Sequence, residues 1–239
     1  MSGGSGPYYY TVWTPAAPPP PNRRTSRTEL THIAIAFVVL TVDLTIILSG
    51  HSFLVSGTVT SIIAPVPVYW VLIALAAALT GFIAHEMAHK FVARRLGYWA
   101  EFRMWPMGLV LSLITSVGGF LFAAPGATMV QGMDPRDVRG WGRTGIAGPI
   151  TNLLFASGFY AASVGAFLGH SNVFAPLLFL AMINTLFATF NLLPFSLLDG
   201  AKVYRWGAGR WLVAFVLSAA FLAVAYTAFY SYGSPLLAW

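Results

Sequence analysis

The chain has 239 residues, of which 57% are hydrophobic, 15% aromatic and 8% charged, with a formal net charge of +6. Soluble domains carry roughly 25% charged residues, so this composition excludes a soluble globule and indicates an all-α integral membrane protein with several spans. There is no cysteine, which removes disulfides and thiolate metal sites, and the basic excess reads as loop anchors for membrane helices rather than as a nucleic-acid surface.

Residues 1–29 are polar and rich in Pro and Gly, a composition that cannot bury a core and predicts a disordered tail without the pattern of a secretory signal. The first apolar run, 30–50, is about 31 Å long as a helix, enough to span, and carries one deep charge, Asp43. A polar connection follows, and Pro65 and Pro67 precede a second helix from about 68 to 96. Lys90, Arg94 and Arg95 finish that helix, with Gly97 in the capping position.

The stretch 103–129 is apolar enough to span but is interrupted by Pro106, Gly108, Gly118, Gly119, Pro125 and Gly126. Residues 131–143 read as a polar linker. Further helices are expected at 144–168, 173–193 and 211–230, with Lys202, Arg205 and Arg210 in the loop before the last. That makes about five transmembrane helices. Residues 30–67 form the first helix and its outer loop, 68–205 a catalytic core of three helices, and 206–239 a C-terminal span.

With the N-terminus in the cytoplasm, the outer loops 51–67, 169–172 and 231–239 contain no Lys or Arg, which satisfies the positive-inside rule. This holds only if 103–129 dips in and returns. That stretch is therefore expected to be a membrane-embedded, re-entrant element, helical or a β-hairpin, turning near Gly118 and Gly119. Non-helical backbone at that depth must be shielded by protein or line a wet cavity, as an active-site wall does.

The second helix carries His85-Glu86-Met87-Ala88-His89. Residues four apart share a helix face, so His85 and His89 can offer two imidazole nitrogens to one zinc ion, with Glu86 beside them as general base for water. Residues 68–84 before the motif contain no charge, and ionisable groups are costly in that setting. A catalytic zinc takes a third protein ligand. The candidates are His32, His51, His170, Asp43, Glu101, Asp134, Asp137 and Asp199. His85 lies about 14 Å from the cytoplasmic end of its helix, counted to Arg94. His51 and His170 fall on the outer side, His32 at the inner edge, Glu101, Asp134 and Asp137 in polar loops, and Asp43 somewhat too deep. Asp199 follows a break at Pro194, and Gly200 permits a tight turn back into the bundle. Asp199 is therefore the favoured third ligand, against a helix cap or an ion pair with Lys202. Asp43 is read as a polar group satisfied by a neighbouring helix.

His85-Glu86-x-x-His89, Gly148-Pro149-x-x-Asn152 and Asn191-x-x-Pro194 with Asp199-Gly200 occur in this order on three successive helices. Together they resemble the site-2 protease family of intramembrane zinc metalloproteases. The segment 122–127 also looks like that family's element between the first two motifs, and the likeness covers roughly 68–205. The resemblance implies that His85, His89 and Asp199 bind one zinc ion and that Glu86 is the catalytic base and proton shuttle. It also implies that Asn191 stabilises the tetrahedral intermediate, and that Asn152 supports the core or contacts substrate. A side-chain amide near the metal suits a developing oxyanion, although Asn191 could equally make a helix-to-helix hydrogen bond. The expected partners are a transmembrane protein substrate and the lipid bilayer of the cell membrane, with no nucleic acid. The short spacing between motifs predicts a minimal core without an appended regulatory domain, and the oligomeric state is left open. The rival readings are a different membrane zinc peptidase and a metal-binding transporter or catalytically silent scaffold. A Glu ligand on a later helix, as the first rival needs, is missing after Glu101, and no internal repeat supports a transporter.

Overall fold

A computed structural model describes residues 25–50, 65–121 and 125–233. The expectations for the tail up to residue 24, for the connection 51–64 and for 234–239 lie outside the described residues, as do 122–124. Five helices among the described residues are long and apolar enough to cross a membrane: Arg27–Leu48, Val68–Arg95, Val138–Leu168, Phe174–Asn191 and Ala208–Tyr232.

Helix α1 (Arg27–Leu48) starts three residues before the apolar run. Ser26 is its N-cap, accepting from the Glu29 N–H (3.1 Å). Glu29 does not complete a capping box; it is fully buried and reaches Lys90 instead. The boundary expected at 29/30 therefore moves into the polar segment, because a polar cap and a buried ion pair extend the helix beyond its apolar residues.

The second span is one continuous helix with a change of pitch. α2 (Val68–Ala77) leads into a π-helical turn (Ala78–Ile83) and then α3 (Ala84–Arg95), which carries both histidines. Such π segments are rare and concentrate at functional sites. Leu96 and Gly97 end the helix, with Gly97 at φ 92°.

The re-entrant element combines strand and helix. Strand β1 (Trp99–Met104) and strand β2 (Gly126–Gln131) pair antiparallel, in a register that sets Phe102 opposite Thr128. Between them lies helix α4 (Pro106–Gly118), with Pro in its first turn and the left-handed Gly119 (φ 104°) as its cap. The sheet brackets the expected 103–129 stretch and extends it to 99–131. Asp43 on α1 accepts a hydrogen bond from Ser116 Oγ of α4 (3.0 Å), so a neighbouring helix does meet it.

Helix α5 (Val138–Leu168) begins six residues earlier than expected because Asp137 caps it, accepting from the Gly140 N–H (2.8 Å). A tight turn with His170 at φ 55° leads into α6 (Phe174–Asn191), antiparallel to α5. The loop expected around Lys202 is instead a short helix, α7 (Asp199–Trp206). Asp199 sits in its first turn and Arg205 in its last, the arrangement that suits the helix dipole. α8 (Ala208–Ala228) completes the bundle and runs on into a second π turn, Phe229–Gly233.

The apolar core lies between α1, α2 and α6, around Leu40, Leu44, Ile73, Ala77, Leu178 and Phe179. Outward-facing Val38, Leu154 and Leu217 are exposed, as expected where the solvent is hydrocarbon. Glycines Gly142, Gly145 and Gly148 recur every third residue on α5. A Cβ on Gly142 would overlap the Trp206 ring, and one on Gly145 would lie 3.0 Å from Lys202 Cβ. This bare stripe lets α7 lie flat on α5 and brings Asp199 inward.

Candidate metal centre

His85 and His89 project from α3 one turn apart, their rings 4.6 Å between centroids and nearly perpendicular. Asp199, from the first turn of α7, meets both. Its Oδ2 lies 3.2 Å from His85 Nε2 and 2.9 Å from His89 Nε2. All three side chains are buried, and one ligand atom from each falls within 4.8 Å of the others. The two most distant parts of the expected ligand set, separated by more than a hundred residues of chain, are thus brought together.

The outer nitrogens fix the chemistry of the inner ones. His85 Nδ1 faces Asn152 Oδ1 at 2.5 Å. That Asn152 atom is assigned as oxygen because the Nδ2 donates to the carbonyls of Thr80 (3.3 Å) and Gly81 (2.9 Å) and to Asn184 Oδ1 (3.2 Å). His85 Nδ1 therefore carries the proton, and Nε2 presents a lone pair. His89 Nδ1 faces the Thr144 carbonyl at 2.6 Å, which fixes the same tautomer. Two imidazole lone pairs and a carboxylate oxygen converge, the donor set of a catalytic zinc site.

Space is reserved for these rings. A Cβ on Gly148 would collide with the His85 and His89 imidazoles, so α5 must be bare at this level. Gly200 is constrained in the same way, because a Cβ there would strike the carbonyls of Leu192 and Leu193. The Asp199 turn is packed directly on the end of α6. Asp199 Oδ2 is the carboxylate oxygen that faces both imidazoles. Lys202 Nζ donates to the other oxygen, Oδ1, at 2.9 Å. The three side chains thus fit a divalent cation, which would take Asp199 Oδ2 and both Nε2 atoms as its ligands.

Glu86 turns from the same helix toward the sheet. Its Oε2 accepts from the Thr128 N–H (2.7 Å) and Oγ (2.8 Å), and its backbone carbonyl lies 2.9 Å from Thr128 Oγ. Asn152 is fully buried, and its amide is engaged by His85, Thr80, Gly81 and Asn184. Asn191 is half-buried at the end of α6 and donates to the Phe187 carbonyl one turn back (3.0 Å); the structure does not bond it to the three ligand side chains. Of the other ligand candidates, Glu101 pairs with Arg103 and Asp137 caps α5. His51 lies outside the described residues.

Sequence reasoning missed Asn184, Thr80 and Thr128. Asn184 Nδ2 donates to Thr80 Oγ1 (3.0 Å) and to the Leu180 carbonyl (2.9 Å). It completes a buried chain from α6 through the π turn to His85. The available signal was an asparagine deep in an apolar span, where unpaired amides are costly.

The chain is 36% identical over 177 residues to the protein named "Putative zinc metalloprotease MJ0611" of Methanocaldococcus jannaschii, covering 72% of this chain and 86% of that one. It is also 32% identical over 146 residues to "Putative zinc metalloprotease Rip3" of Mycobacterium tuberculosis, covering 59% of this chain and 33% of that protein. No family model matches the chain, and no solved structure does. The length of the archaeal match and the convergence of His85, His89 and Asp199 agree: the chain belongs to the zinc metalloprotease family of these relatives, consistent with the site-2-protease likeness of its motifs.

Proposed function

We propose that this protein is an intramembrane zinc endopeptidase of the site-2 protease kind. On this reading it hydrolyses a peptide bond in or near a transmembrane segment of a membrane-protein substrate. The observation that carries the reading is the buried meeting of His85, His89 and Asp199 among helices long enough to span a bilayer. A protease that cuts only soluble chains has no need to bury its ligands there.

The division of labour follows from the side chains. His85, His89 and Asp199 would hold a zinc ion, which would supply Lewis acidity toward the scissile carbonyl and the attacking water. Asn152 and the Thr144 carbonyl keep each imidazole in the ligating tautomer. Glu86 takes a proton from the attacking water at its carboxylate and delivers it to the leaving amine. Asn191 retains a second N–H beyond its bond to Phe187 and is the proposed side-chain donor to the developing oxyanion. The substrate helix must unwind to expose its peptide bond, and the extended segment pairs with the outer edge of β2.

On the same reading the chain lies in the cell membrane with its N-terminus in the cytoplasm and the site nearer that side, a proposal supported by the absence of Lys and Arg from the expected outer loops. One zinc ion is proposed per chain. The deciding experiment compares wild type and Glu86→Ala in nanodiscs, with a transmembrane peptide as substrate and metal content measured in parallel. Zinc should be retained and cleavage lost in the variant. Wild-type cleavage rates in Glu86→Ala would overturn the assignment.

A further inference from the structure

Phe102 and Thr128 face each other across the two-stranded sheet, and each sends its N–H away from the other strand. The Phe102 N–H donates to Glu29 Oε1 (2.9 Å), and the Thr128 N–H to Glu86 Oε2 (2.7 Å). They form one of the ladder's non-hydrogen-bonded pairs, whose backbone groups point outward. Each edge of the sheet is therefore closed, at the same level, by a glutamate.

The two closures differ in kind. Glu29 is fully buried and paired with Lys90 (2.6 Å), so a buried ion pair closes the β1 edge at this level. Glu86 has no such ion pair among the described residues. Among the described residues only Thr128 hydrogen-bonds its carboxylate, through the N–H and the hydroxyl. Gly126 and Val130 turn their backbone groups the same way as Thr128, so the outer edge of β2 offers pairing positions on both sides of the Glu86 contact. A strand added there must take the Thr128 N–H, the same donor that holds Glu86.

We propose that substrate docking and release of the base are one event. Pairing of an extended segment with the outer edge of β2 takes over the Thr128 N–H and, by occupying the place of the carboxylate, also displaces Glu86 from the Thr128 hydroxyl, which frees it for proton transfer. The proposal rests on the proteolytic reading above. Thr128 is on this view a positioning residue that keeps Glu86 in reserve until a strand is present. A peptide too short to form a strand gains nothing from the edge and meets a base that is still held, so Thr128 favours long, strand-forming substrates over short ones.

The test uses the full protein in nanodiscs with two substrates, a transmembrane peptide and a short fluorogenic peptide. Thr128→Val keeps the N–H, the shape and the strand preference but removes the hydroxyl donor. Thr128→Ser keeps both donors. Thr128→Val should raise the ratio of kcat/KM for the short peptide over the transmembrane peptide about tenfold, the size of one hydrogen bond to a charged group. Thr128→Ser should give the wild-type ratio, and zinc content should be equal in all three. If Thr128→Val lowers both activities equally, or leaves the ratio unchanged, the latch is overturned and the proteolytic reading stands. A wild type that cuts neither peptide overturns both.

Discussion

His85 Nδ1–H donates to Asn152 Oδ1 at 2.5 Å, across 67 positions of sequence, and this bond decides which nitrogen of His85 faces Asp199. Asn152→Leu removes the acceptor and leaves the Thr80 and Gly81 carbonyls of the π turn without its amide. Zinc affinity should fall about 10- to 100-fold, the usual cost of losing a partner behind a ligand. Competition against a chelator of known affinity measures this directly, and an unchanged affinity would show that the tautomer is fixed elsewhere.

The third ligand is tested by two aspartates with opposite surroundings. Asp199→Ala should purify without stoichiometric zinc, because it removes the oxygen that meets both Nε2 atoms. Asp43→Ala should keep its zinc, since Asp43 contacts Ser116 of α4 and not the histidines. Metal analysis of the two variants beside wild type checks both halves.

Gly148 gives a steric prediction with an internal control. Gly148→Ala puts a methyl group into the His85 and His89 rings and should abolish stoichiometric zinc binding. Gly158→Ala lies further along the same helix, where a Cβ meets nothing within 4 Å. It should leave zinc unchanged and stabilise the helix by up to about 1 kcal/mol. Metal content and thermal unfolding of the pair separate a site effect from a general helix effect.

Glu29 and Lys90 form a buried pair, with side-chain exposures of 0% and 8%. Glu29→Ala leaves an unpaired ammonium and an unsatisfied Phe102 N–H, and should cost about 3 to 5 kcal/mol. Adding Lys90→Met to it should recover part of that loss, because the buried charge is gone. Unfolding in mixed micelles measures the coupling, and strictly additive effects of the two substitutions would argue against the pair.

What the sequence made legible follows the range of the physics involved. The His85–His89 spacing is local helix geometry, and the depth of Asp199 follows from the lengths of apolar runs, so both could be read directly. The five spans could be read for the same reason, although α1 and α5 begin earlier than their apolar residues because Ser26 and Asp137 cap them. Thr128 could not be read, because its contact with Glu86 depends on the register of β2 against β1 and on how the sheet leans on α3. Glu29 was hidden in a polar segment, where only its distant partner Lys90 reveals that it is buried. The α7 helix was concealed by its charges, which read as a loop until the glycine stripe of α5 gave it a floor.

The π turn at Ala78–Ile83 divides the second span into two independent rotational phases. Each residue of an α-helix advances about 100° around its axis. Rewinding this turn as regular α-helix with all its residues kept would swing His85 and His89 by about that angle relative to α2. The apolar residues of α2 would still face α1 and α6, while the imidazoles would point away from α7. The extra residue works as an indexing step, letting one helix satisfy a membrane-facing pattern upstream and a metal-facing pattern downstream that a single continuous periodicity would not align. Single-residue insertions or deletions on either side of this turn should therefore be more damaging to zinc binding than to assembly of the bundle.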